Sequence, residues 1–496
     1  MRATISPHAF SGIVQIPPSK SHTIRQLIIA SLAGGISEIA NPLDSLDTQS
    51  CAAACRALGA AVTECRAVDP QCPNPPDENG ARSLSGLARY DKGNMKKQSF
   101  FMFPSRQAPR LAAYTVQGNN GFGSAGCGMG GRSINVGNSG TTLFLAMAAA
   151  GLGNEPFTFT GDDQIQRRSA APLLEALSGL GIRAESVRGN GCVPIVIQGP
   201  WKGGQVSLPC PTSQYLSAIL LAAPLAPAGT ITDVTVPLLN ERPYIEMTLS
   251  YLNSQGIPWK GASDFSHFVI PGGASWKPFS RSVPGDFSSA AFPACAAAIS
   301  GGPVTMRGLD PHDTQGDKLF LEILAEMGCT VQWEPVHDAG SKACSPHPAY
   351  SLTVSRRRAG GAGSLHGGTF DLNAAPDLLP AAAVTAAFAE GDTALINVAH
   401  ARIKETDRIA AMAAGLAKLG VRCTERPDGL IIHGTGKANG KAAVSGGFID
   451  SRGDHRIAMA FAAAALAAQA PITIDGAESA AVTYPGFLEL LNAEYE

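Results

Sequence analysis

Charge is what this chain has least of. Only 16% of its 496 residues are charged, and 38 basic side chains balance 40 acidic ones for a net charge of −2. Such a balance gives no field to recruit nucleic acid or an acidic membrane, and neither is expected as a partner. Long apolar runs are missing too. The longest, Ile457 to Ala470, is too short to span a bilayer and follows Asp454, His455 and Arg456. Leu27 to Gly34, behind Lys20 and Arg25, imitates a signal peptide, but the preceding SGIVQIPP reads as an ordered strand, so export is not expected. Eleven cysteines contain no CxxC pair and no His/Cys cluster at zinc spacing. Reduced thiols in a cytoplasmic protein without a metal are the expectation.

What is present is alanine in short runs, punctuated by 55 glycines and 35 prolines. That texture suits many short, closely packed elements joined by tight turns, an α/β protein. The chain also repeats one phrase. An amphipathic helix ends in glycine, then come a strand, a turn and another strand. The helix ends fall at Gly59, Gly181, Gly256, Gly328 and Gly420, where glycine supplies the left-handed cap. Return strands follow in VPIVIQG, HFVIPGG and GLIIHG, and the final FLELLNAEYE looks like a sixth copy cut at its helix.

Each unit holds a second, alanine-rich helix with almost no polar face, hence a buried one. These begin at Ser21, Ser139 to Thr141, Ser213, Asp286 to Ser289, Asp377 and Asp454. Six units divide into three per domain, with the change-over near Val283-Pro284-Gly285. The expected domains are 19–283, and 1–18 together with 284–496. One stretch, about 66–132, breaks the repeat with QCPNPPDENG, a basic patch at Lys92, Lys96 and Lys97, and a glycine cluster. Its composition reads as a loosely ordered insertion. The glycines lack the strand-then-helix context of a nucleotide loop.

Polar residues gather where the buried helices start: Lys20, Ser21 and Arg25; Ser139 and Thr141; Thr212, Ser213 and Gln214; Asp377; Asp454 and Arg456. Ordinary capping explains the hydroxyls and carboxylates. It does not explain arginines entering first turns, where the helix dipole disfavours cations. KETDR, Lys404 to Arg408, repeats the violation ahead of an apolar face at Ile409, Met412, Ala413, Leu416 and Leu419. It reads as a helix start with Lys404 and Arg408 on one side and Glu405 beside them. Free N–H groups, hydroxyls and arginines together make an anion site, for a ligand that is small and multiply anionic.

With these residues assembled, the chain resembles the enolpyruvyl transferase family, in its branch acting on shikimate 3-phosphate. The motifs are PSKSHTIR at Pro18 to Arg25, GNSGTT at Gly137 to Thr142, TSQYL at Thr212 to Leu216 and RPYIEMT at Arg242 to Thr248. Pro376-Asp377, KETDR and GDHR at Gly453 to Arg456 complete the order. The resemblance implies two domains of three βαβαββ units around buried helices, closing on shikimate 3-phosphate and phosphoenolpyruvate without a cofactor, and a monomer is expected. It implies Ser21, Arg25, Thr212, Ser213, Tyr244 and His400 as ligands of shikimate 3-phosphate. Gly140, Arg168, Arg408 and Arg456 would hold phosphoenolpyruvate, with Lys20 and Gln214 touching both. Asp377 and Lys404 would engage the 5-hydroxyl, and Glu405 would face the phosphoenolpyruvate methylene. Lys20, Asp377 and Glu405 would then be catalytic.

The related branch acting on UDP-N-acetylglucosamine carries Lys-Asn near its start and a loop cysteine before the arginine matching Arg168; this chain has Lys20-Ser21 and QIQRR. A catalytically weak shikimate-binding paralogue is the other reading, against which Asp377 and Glu405 stand. Where the family carries an arginine and a lysine, this chain has Phe144 and Val482, and His400 replaces an asparagine. Phosphoenolpyruvate is therefore expected to bind weakly unless a cation from Lys92, Lys96 and Lys97 substitutes.

Overall fold

The structure, a computed structural model, describes residues 1–66, 111–119, 132–336, 349–356, 363–438, 441–442 and 444–495. Lys92, Lys96, Lys97 and most of the glycine cluster lie outside the described residues. Among the described residues, six four-stranded sheets share one strand order. One sheet illustrates it. Arg132–Asn135 runs parallel to Phe157–Thr160, the two joined through helix Gly140–Ala150. Helix Ala171–Gly179 follows, then the antiparallel strands Arg183–Ser186 and Ile195–Gln198, the second inserting beside Phe157–Thr160. The capping glycines 59, 181, 256, 328 and 420 have φ of +105°, +87°, +67°, +101° and +81°. A Cβ disfavours that left-handed region, so glycine ends each helix and turns the chain into its hairpin.

The buried helices sort into two large cores. Lys20–Leu32, Gly140–Ala150 and Gln214–Ala222 lie in a cluster running from Ile24 to Val283. Phe287–Ser300, Leu379–Ala387 and His455–Ala465 lie in another, with Ala3 to Ile16 and residues as late as Leu491. Every residue of His455–Ala465 is buried. Only small side chains allow a helix to be packed on all sides at close range, which is what the alanine runs provide.

The cores trade one strand each. Gly12–Gln15 stands just ahead of the first core's leading helix, yet it pairs in parallel with Val304–Arg307 of the second. Ser280–Ser282 stands just ahead of the second core's leading helix, yet it pairs with Ile36–Ala40 of the first. The two crossing segments hold each other: Ser19 N–H donates to Pro284 C=O at 2.8 Å, and Asp286 N–H to Pro17 C=O at 2.9 Å. Arg2–Ile5 lies between Ile472–Asp475 and Glu494–Tyr495.

Two expectations need correction. The stretch 66–132 is not insertion throughout, because Leu111–Gln117 is the middle strand of the first sheet, paired with both Ile36–Ala40 and Ala61–Arg66 and burying Tyr114 and Val116. A four-stranded sheet needs its return strand, and the long interruption hid it. Arg132–Asn135, the edge strand of the next sheet, likewise begins inside the expected insertion. The thiols are not all reduced: Cys51, Cys55, Cys210 and Cys295 are free, but Cys65 is disulfide-bonded. Among the described residues, no helix is long and apolar enough to cross a membrane.

One glycine tests the packing. A Cβ on Gly415, inside helix Arg408–Lys418, would lie 2.3 Å from Cζ of the buried Phe461. Alanine gains about 1 kcal/mol in helix propensity, but forcing atoms into a full core costs about 1–3 kcal/mol. Gly415→Ala should therefore lower the thermal midpoint; a raised midpoint would show that this helix pair is loosely packed.

Candidate active site

Starts of the buried helices converge on one cavity of about 580 Å³, walled by both cores. From the first core, Lys20 and Ser21 open helix Lys20–Leu32 and line it. Lys20 Nζ donates to Asp47 at 3.0 Å. Arg25 sits in the second turn, not the expected first. Its buried guanidinium donates to Thr248 Oγ1 at 3.0 Å, Ser217 Oγ at 3.3 Å, Ser21 C=O at 3.2 Å and Tyr244 C=O at 3.4 Å. Those partners are neutral, and burial brings its pKa down to about 10.

Gly140 opens the next helix, where a Cβ would stand 2.8 Å from Arg168 Nη1. Glycine is there for close approach. Arg168 reaches Glu405 Oε1 at 3.2 Å and Asn138 Oδ1 at 3.3 Å. Gln214 donates to Thr141 Oγ1 at 3.0 Å, and Tyr244 donates to Asp317 at 2.7 Å.

From the second core come Asp377, in the turn Pro376–Leu378 ahead of its helix, and His400, buried with Nε2 unpartnered among the described residues. Lys404 and Glu405 are not helical. Asp407 caps the helix by accepting Ala410 N–H at 3.0 Å, so Arg408 is its first residue. The apolar spacing begins only at Ile409, and the carboxylate in front of it sets the start. Arg408 does not line the cavity. It lies behind the wall, 1% exposed, donating to Asp377 at 2.6 Å and Asp454 at 2.8 Å while pairing with Glu405. Arg456 donates to the other Asp377 oxygen at 2.8 Å. Lys404 pairs with Glu241 and stands 3.9 Å from Asp377.

Burial would push the Asp377 and Glu405 carboxyls up, but the cations prevail. Arg456, Lys404 and Arg408 hold Asp377 well below the usual range, and Arg408 and Arg168 hold Glu405 there. Asp317 differs. Burial and the nearby Asp377 charge push its carboxyl up to about 6, against the pull of Arg456.

Sequence reasoning missed Glu241, Asp47 and Asp317, none of which carried a local signal, while Asp454 was read only as a helix start and not as a partner of Arg408. Phe144 packs edge-on against Tyr215, centroids 4.9 Å apart, while Val482 is half-buried and not among the lining residues. Arg167 and Arg402 line the cavity without having been anticipated.

Six copies of one βα pattern about two cores that trade a strand, with helix starts meeting at the junction, are the architecture of the enolpyruvyl transferases. The sequence profile of EPSP synthase (3-phosphoshikimate 1-carboxyvinyltransferase) matches residues 5–85 and 112–491, and the chain belongs to that family of transferase enzymes. It is 40% identical over 482 residues to a 3-phosphoshikimate 1-carboxyvinyltransferase of Acetivibrio thermocellus, covering 97% of this chain and 95% of the relative. One from Halorubrum lacusprofundi is 36% identical over 507 residues, covering 99% and 97%. The solved EPSP synthase of Acinetobacter baumannii superposes with a TM-score of 0.73 at 28% identity, covering 99% of this chain and 97% of that one. The shikimate branch is thus favoured over the UDP-N-acetylglucosamine branch.

The raised Asp317 carboxyl gives a pH test. Unfolded, it titrates near the ordinary aspartate value of about 3.9. Between roughly pH 4 and its folded value of about 6, the folded protein binds this proton more readily, so its contribution to stability falls as pH rises. Asp317→Asn should flatten that slope, gaining about 1 kcal/mol at pH 7 relative to pH 5. Urea unfolding at both pH values measures it, and an unchanged slope would mean the carboxyl is not proton-linked to folding.

Proposed function

We propose that the cleft transfers the enolpyruvyl group of phosphoenolpyruvate to the 5-hydroxyl of shikimate 3-phosphate, releasing phosphate, with its residues divided as the helix starts divide them. The observation that carries this is the pair Asp377 and Glu405, both fastened to the single guanidinium of Arg408. Two carboxylates held on one cation and lining one cavity suit a reaction that moves two protons. The 5-hydroxyl loses one as it attacks C2 of the enol, and C3 gains one. Elimination of phosphate from the tetrahedral intermediate then reverses the proton at C3. Asp377 takes the hydroxyl proton with Lys404 beside it, and Glu405 serves C3.

Lys20, Arg168 and Arg456 meet the phosphate and carboxylate of phosphoenolpyruvate, with Gly140 leaving room for Arg168. Arg408 adds positive potential from behind the wall. Ser21, Arg25, Thr212, Ser213, Tyr244 and His400 hold shikimate 3-phosphate, and Gln214 faces both substrates. As free side chains, Asp377 and Glu405 are poor at exchanging protons near neutrality, because cations hold them ionised. Arriving substrate anions share those cations and raise both proton affinities toward the working range. The same cations then meet the phosphate charge that develops on elimination. With Phe144 and Val482 in place of basic residues, phosphoenolpyruvate is bound weakly. Each core is a domain, 19–283 and 1–18 with 284–496, and the two close on the substrates; the protein acts as a cytoplasmic monomer.

Phosphate release from both substrates together is the direct test. Asp377→Ala and Glu405→Gln should lower kcat by about 10²–10⁴-fold, while calorimetry still detects shikimate 3-phosphate binding. Normal turnover in either variant would remove that residue from the chemistry. Closure has its own check, since cavity groups come from both sides of the crossing at Pro284. Shikimate 3-phosphate with an unreactive phosphoenolpyruvate analogue should reduce the radius of gyration in solution scattering; an unchanged radius with both bound would refute closing.

A further inference from the structure

We propose that Glu241 is an internal anion seated in the acceptor's phosphate subsite, and that shikimate 3-phosphate binds by displacing it and freeing Lys404 in the same movement. Three donors at the start of helix Gln214–Ala222 converge on one oxygen of Glu241: Ser213 Oγ at 2.8 Å, Ser213 N–H at 3.0 Å and Thr212 Oγ1 at 3.1 Å. Its other oxygen pairs with Lys404 of the second core. Glu241 is 2% exposed, yet it lines the cavity together with Thr212 and Ser213.

A helix start with two hydroxyls and a free N–H is built to take an anion oxygen. The chain supplies that oxygen itself. A phosphate dianion and a carboxylate repel each other and need the same donors, so one must leave. Glu241 is also held at φ +58° and ψ +42°, a left-handed backbone that a side-chain-bearing residue rarely adopts. Its N–H donates to Asn373 C=O at 3.2 Å, and Asn373 Nδ2 donates to Asn240 Oδ1 at 2.9 Å. Asn373, like Lys404, belongs to the second core. Anchor and ion pair therefore both depend on how the cores meet, and a shift of one core against the other loosens Glu241 from both. Lys404, released, has Asp377 within 3.9 Å as its next carboxylate. Arrival of the acceptor thus assembles the pair assigned to its 5-hydroxyl. This inference rests on Thr212 and Ser213 being the acceptor's phosphate ligands.

The test uses the full chain. Glu241→Gln keeps the shape and removes the charge; calorimetry should show shikimate 3-phosphate binding tightened by about tenfold or more. Its KM should fall likewise while KM for phosphoenolpyruvate stays within about twofold, a split that loosened structure alone would not produce. Inorganic phosphate, a probe of the subsite alone, should also bind the variant more tightly. Glu241→Asp, too short to span Ser213 and Lys404 together, should fall between. Unchanged or weaker acceptor binding in Glu241→Gln, or loss of cooperative unfolding in both variants, would overturn the proposal by making the carboxylate structural. If the wild-type protein binds no shikimate 3-phosphate at all, the acceptor assignment itself fails and this inference falls with it.

Discussion

A guanidinium removed from water needs its charge answered, and the site is arranged around the answer to Arg408. Burying one cation costs several kcal/mol unless the surrounding geometry returns it. Here the return comes from three carboxylates belonging to three parts of the second core: Asp377 at one helix start, Asp454 at another and Glu405 in the approach to its own helix. The cation is thereby the partner that Asp377 and Glu405 share, and with Arg456, Lys404 and Arg168 it keeps both ionised. Outward from it the signs alternate, with Arg456 and Lys404 on Asp377, Arg168 on Glu405, and Glu241 on Lys404. Buried charge in this array thus comes in nearly matched pairs.

The crossing of the two cores explains why this array sits where it does. Lys20 and Ser21 follow directly on the crossing segment at Ser19, and Asp286 and Ser288, which line the same cavity, follow on the other. Segments that pass between two packed bodies also carry the first helical residues of each. The cavity wall and the crossing of the two cores are thus a few residues apart in sequence.

What could be read from sequence was whatever had a local cause. Gly59 and Gly256 marked helix ends because only the left-handed backbone makes a glycine useful there. The helix at His455 announced itself as buried because it has no polar face. Asp377, Lys404 and Arg456 stood out as polar residues at the mouths of apolar segments. What stayed hidden had a distant cause. Leu111–Gln117 is a strand because Ile36–Ala40 and Ala61–Arg66 await it, and nothing inside its own window says so. Glu241 looks like one more surface acid until Ser213 and Lys404, from two different cores, are seen to meet on it. Lys404 and Glu405 read as helical because the apolar spacing that follows is strong; the cap at Asp407 overrules it.

The seating of Arg2–Ile5 reaches into how the molecule is made. This strand leaves the ribosome long before its neighbours, Ile472–Asp475 and Glu494–Tyr495. Gly12–Gln15 waits in the same way for Val304–Arg307. The first core needs nothing later than Ser280–Ser282 to complete its sheets. Synthesis therefore presents one finished body while two early strands, with unpaired backbone edges, stay unclaimed until the second is built, the interval in which such edges invite wrong partners.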